Sequence, residues 1–88
     1  MTVKTEHGTY ECRDLTFKAR RDLHRLEVLT VNIDGEVDVN KYYDVIEWVM
    51  QYALDDPEEK LGHLDDMAID SVISEIYRKY KIPAKKKS

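Results

Sequence analysis

The chain has 88 residues, 36% of them charged, and a net charge of −4; a domain this small buries roughly two-thirds of its unfolded surface, leaving little interior for an enclosed active site. Its charge is segregated: residues 1–31 carry six basic and five acidic groups, residues 32–66 two and eleven, and residues 67–88 six and two. The acidic middle argues against a nucleic-acid groove, the single cysteine Cys12 rules out an internal disulfide, and no apolar run approaches the ~20 residues of a membrane span.

No charged leader with an apolar stretch opens the chain, so the expectation is a soluble cytoplasmic protein. From Thr2 to Cys12, apolar and polar residues alternate around His7-Gly8. This predicts two strands, Val3 to Glu6 and Thr9 to Cys12, joined where glycine supplies a positive φ. A lone two-stranded ribbon is marginal, so it must pack on helices or pair with another edge. Thr16 or Asp14 then caps a first helix running to about Val31, with Leu15, Ala19, Leu23 and Leu26 inward and Lys18, Arg21 and Arg25 outward.

Asp34-Gly35 interrupts the pattern, and Asp38 caps a second helix with Val37 and Tyr42 placed as a hydrophobic staple. From Val39 to Leu54 this helix is apolar on almost every side. Val39, Tyr42, Tyr43, Ile46, Val49, Met50 and Ala53 form a core stripe at i, i+3, i+4, i+7 spacing. Trp48 lies roughly opposite, and Val45 and Tyr52 widen its side into a second apolar strip. A helix apolar nearly all round is either the buried centre of its own domain or is covered by another chain. Trp48 is therefore either core, under the N-terminal segment, or, with Val45 and Tyr52, a partner-binding surface.

A loop from Asp55 to His63 leads to a third helix from about Asp66 to Tyr80, capped by Asp65 and stopped by Pro83. Its inward stripe is Ile69, Val72, Ile73, Ile76, Tyr77 and Tyr80. The expected fold is α+β, mainly α. A short N-terminal β-hairpin and three packed helices form one small domain over residues 1–82, followed by a disordered lysine-rich tail at 83–88.

Tests for chemistry find little. In an EF-hand register Asn32, Asp34 and Gly35 fall at positions 3, 5 and 6, but position 1 is Thr30 and position 12 is Lys41, a cation where the strongest calcium ligand belongs. His7, Cys12, His24 and His63 lack the short paired spacing of zinc sites. Ser71 and Ser74 sit in a predicted helix with no strained turn or base beside them. The carboxylates Asp55, Asp56, Glu58 and Glu59 read as a solvated loop ahead of a helix, and three glycines make no phosphate loop. The expectation is a protein without catalytic residues, metal or cofactor.

The order of parts is a short ribbon, then Leu15-Thr16-Phe17-Lys18-Ala19-Arg20-Arg21-Asp22-Leu23, then the tyrosine- and tryptophan-bearing helix Tyr42 to Tyr52. Over roughly residues 8–80 it resembles the small tail assembly chaperones of long-tailed bacteriophages and their prophages. The resemblance implies a protein made during tail morphogenesis. Such a protein binds the long helical tape measure protein, keeps it soluble while tail tube subunits assemble around it, and leaves the finished particle. It also gives Lys85-Lys86-Lys87 a meaning, since lysine codons are A-rich and this family commonly makes a longer product by a frameshift near the end of the gene. A solubilising basic tail is the plainer account of the same run.

The leading expectation is thus a chaperone that self-associates or binds a hydrophobic helical client through Val45, Trp48 and Tyr52. The alternative is a small phage or bacterial regulatory or inhibitory protein that binds one folded partner through its acidic middle. A helix-turn-helix DNA binder using Lys18, Arg21 and Arg25 is the least favoured, and neither nucleic acid nor membrane is an expected partner.

Overall fold

The computed structural model describes residues 1–31 and 35–82. Asn32 and Asp34 of the tested calcium register, Pro83, and Lys85 to Lys87 lie outside the described residues. Gly8 takes φ 128°, a left-handed value that favours glycine. The chain reverses just before it, at Glu6-His7 rather than the expected His7-Gly8, into an antiparallel hairpin of β1 (Thr2–Thr5) and β2 (Gly8–Glu11), with Thr5 opposite Gly8 and Val3 opposite Tyr10. Alternation along the strands puts Val3 and Tyr10 on one face, and both are buried.

Four helices follow: α1 (Phe17–Thr30), α2 (Val39–Ala53), α3 (Pro57–Leu61) and α4 (Asp66–Lys81). Each begins at a side chain that satisfies a free backbone N–H. The Thr16 hydroxyl accepts from Ala19 N at 3.1 Å, Asp38 Oδ1 from Asn40 N and Lys41 N, Asp56 from Glu59 N, and Asp65 from Ala68 N. Of the two candidate caps of the first helix, Thr16 is therefore the one used. The segment expected to be a plain loop, Asp55 to His63, instead holds α3. Asp56 as cap, Pro57 in the first turn and Glu58 and Glu59 behind it are the start signals of a helix. Gly62 ends this turn so tightly that a Cβ would lie 2.4 Å from the Glu58 carbonyl oxygen.

The core draws on every element: Val3, Tyr10 and Cys12 from the hairpin and its exit, Leu23 from α1, Leu61 from α3, and Val72, Ile73 and Ile76 from α4. Helix α2 is the middle layer, with α1 along it and α4 also packed on it, while β1 lies against α4. Its buried residues are Val45, Ile46, Val49 and Ala53. At 100° per residue the centre of that face is rotated roughly 50° from the expected stripe, toward Val45. Val45 is 1% exposed and belongs to the core, whereas Val39, Tyr42 and Tyr43, in and just after the first turn of α2, are exposed. Val37, ahead of the Asp38 cap, faces Val31 in an isolated antiparallel bridge, and Asp38 N donates to Thr30 O at 2.7 Å. These two contacts pinch the end of α1 to the start of α2. Among the described residues no helix is long and apolar enough to cross a membrane.

Candidate protein-binding surfaces

The three residues expected to form one apolar strip are separated by the structure. Val45, expected on a partner-binding surface, is instead enclosed in the core. Trp48 and Tyr52, one turn apart on the flank of α2, remain half-buried and stack with ring centroids 5.0 Å apart and planes 8° from parallel. Tyr52 is also held from the other side. Its hydroxyl donates to Asp14 O at 2.6 Å and accepts from Thr16 N at 3.3 Å, Arg13 lies 5.6 Å over its ring, and Tyr80 meets it edge-on. Arg13 Nε donates to the Tyr52 carbonyl at 2.9 Å and its guanidinium reaches Asp55 at 3.1 Å. Thus the exit of the hairpin, Arg13 to Thr16, is the N-terminal segment that closes over this flank. Tyr52 is a fastener of that segment, and Trp48 leans on the core with the rest of its ring free.

Larger apolar exposure occurs where sequence periodicity did not point, at the α1–α2 corner. Val28, Leu29, Val31, Val37 and Val39 are 58%, 56%, 47%, 59% and 65% exposed. Nothing in the sequence marks this corner except β-branched residues on both sides of the Asp34-Gly35 dipeptide. Running back from it along α1 is an outer face with Arg21, His24 and Arg25 beside Val28 and Leu29, around a shallow hollow of about 310 Å³. Ala19, Leu23, Leu26 and Thr30, on the opposite side of α1, turn inward.

A third surface lies between α2, α3 and α4. Two hollows of about 420 Å³ each share Met50 and Ile69 and so make one groove. Its floor also takes in Leu61 and Pro57. Its rim carries Glu47, Asp56, Glu58, Asp66 and Asp70, and among the described residues no lysine or arginine lines it. The Tyr43 hydroxyl donates to Asp70 at 3.2 Å across one end, and this bond to a carboxylate holds the tyrosine's pKa above its ordinary value.

Burial pushes the Cys12 thiol up, which makes it a poor nucleophile at neutral pH. No group of three or more His, Cys, Asp or Glu side chains among the described residues is placed to hold a metal ion. What these surfaces offer is apolar contact area edged by charge, the chemistry of protein association. No protein-family model, curated protein or solved structure matches the chain.

Proposed function

We propose that the chain is a small assembly chaperone of the phage-tail kind, a binding protein that keeps an apolar helical client such as a tape measure protein in solution while other subunits assemble. The observation that carries this reading is the α1–α2 corner, where Val31, Val37 and Val39 stand about half or more exposed on adjoining stretches of chain. Burying such a group against an apolar helix recovers about 25 cal/mol for each Å² removed from water. Trp48, with part of its ring free, adds an aromatic contact. The resemblance in order of parts supplies the class of client.

Co-expression with a tape measure protein tests the reading. The client is expected to become soluble and to co-purify, and the complex to survive about half-molar salt, where charge attraction is screened within a few Å. The surface variant Val37→Asp/Val39→Asp should fold normally and leave the client insoluble. The acidic groove favours a second reading, a regulatory protein that binds one basic folded partner. Loss of binding in salt, with Val37→Asp/Val39→Asp binding as well as wild type, would replace the first reading by the second.

A further inference from the structure

We propose that the acidic groove between α2, α3 and α4 is the docking site for the outer face of α1 of a second copy of this chain, so that copies join head to tail. The inference stands on two surfaces of the same molecule and does not rest on the client reading. On the groove, Glu47, Glu58 and Asp66 make no ion pair among the described residues, and Met50 and Ile69 provide an apolar floor. On α1, Arg21 and Arg25 are likewise exposed and without an ion pair among the described residues, and Val28 and Leu29 lie one turn further along. Each surface combines unpaired charge of one sign with apolar area, and the signs are opposite.

The dimensions also agree. Arg21, Arg25 and Val28 on α1 follow the same one-turn steps as Tyr43, Glu47 and Met50 on α2, and each set spans seven residue steps, about 10 Å of helix rise. Within one chain the surfaces cannot meet. The inner face of α1 is committed to the core, its outer face turns away from α2, and the groove opens between α2 and α4. A contact between two different patches is heterologous and leaves an unused groove at one end and an unused α1 at the other. It therefore extends into a chain or closes into a ring, unlike a two-fold dimer. Part of its strength is charge attraction between exposed groups, so salt weakens it.

Sedimentation velocity on the full chain decides the matter. At about 50 mM salt the protein should form species larger than two chains as concentration rises, and at about 500 mM association should weaken by about tenfold. Arg21→Glu/Arg25→Glu removes the α1 side, and Glu47→Gln/Glu58→Gln/Asp66→Asn removes the groove side. All five positions are exposed, so both variants should keep the wild-type circular dichroism. Each alone should stay monomeric where wild type associates. Mixed in equal amounts, one contributes an intact α1 and the other an intact groove, and the pair should form a particle of two chains that grows no further. A wild-type monomer at every concentration and low salt, association of either variant as strong as wild type, or failure of the mixture to pair would each overturn the proposal.

Discussion

Trp48 and Val45 are three residues apart on α2, yet Val45 is enclosed while Trp48 stays half-buried. Val45 is 1% exposed within the cluster, so a carboxylate there would be buried without a partner. Val45→Asp should leave no cooperative folded state in a thermal scan. Trp48 packs against the core on one side only and stacks on Tyr52. Trp48→Ala should leave a folded protein, destabilised by about 2 to 3 kcal/mol in urea titration, below the about 3 to 5 kcal/mol of a fully enclosed ring. A Trp48→Ala protein as stable as wild type would mean that the ring contributes nothing to the fold. The sequence marks α2 as apolar through an arc wide enough to admit two choices of inward face, and periodicity alone cannot choose. What chooses is Tyr52, tied to Asp14 and Thr16, because it draws the hairpin exit over the Trp48 flank and turns Val45 inward. Those partners are 38 and 36 residues away in sequence, beyond the reach of a helical wheel.

At the scale of elements, the last two turns of α4 hold the start and middle of the chain through two phenols. Tyr77 donates to Glu27, which Lys81 also contacts at 3.1 Å, and Tyr80 donates to the Arg13 carbonyl. Burial, reinforced at Tyr77 by the Glu27 carboxylate, raises both phenol pKa values well above the ordinary one of about 10. The folded protein therefore keeps these protons after the unfolded chain has released them. Above pH ~10 the unfolded state binds fewer protons, so stability falls as pH rises, whereas below that pH the contribution is fully present. Urea midpoints should be level up to pH ~9 and decline beyond ~10, and Tyr77→Phe/Tyr80→Phe should flatten the decline; an equally steep loss in the double variant would place its cause elsewhere. The helix carrying these residues was legible, because Asp65, the Ile69 to Tyr80 stripe and the terminal lysines are local signals. Helix α3 was missed: its start signals Asp56-Pro57-Glu58-Glu59 are in the sequence, but its shortness and charge made the segment read as a loop. The α1–α2 corner was not legible, since exposure of Val31 and Val37 depends on where neighbouring helices end.

For the whole molecule, the decisive fact is that one hydrophobic cluster receives side chains from the hairpin, its exit and all four helices. Val3 is on the strand that packs against α4, Tyr10 joins the same cluster from β2, Leu61 enters from α3, and α2 supplies the largest share between α1 and α4. A two-stranded hairpin does not persist in water by itself, and a five-residue helix is far below the length that is stable in isolation. Neither can outlive the cluster, and removing either would open the cluster to water. Unfolding should therefore be a single transition in which helix loss by far-UV circular dichroism, the change in Trp48 emission and the exposure of the Cys12 thiol to a labelling reagent share one midpoint. Trp48 reports the flank of α2 and Cys12 the exit of the hairpin, so the three probes sample separate parts of the fold. If Cys12 became reactive at a lower urea concentration than that at which Trp48 and the helices respond, the hairpin would detach as its own unit and the cluster would not be the common support of all five elements.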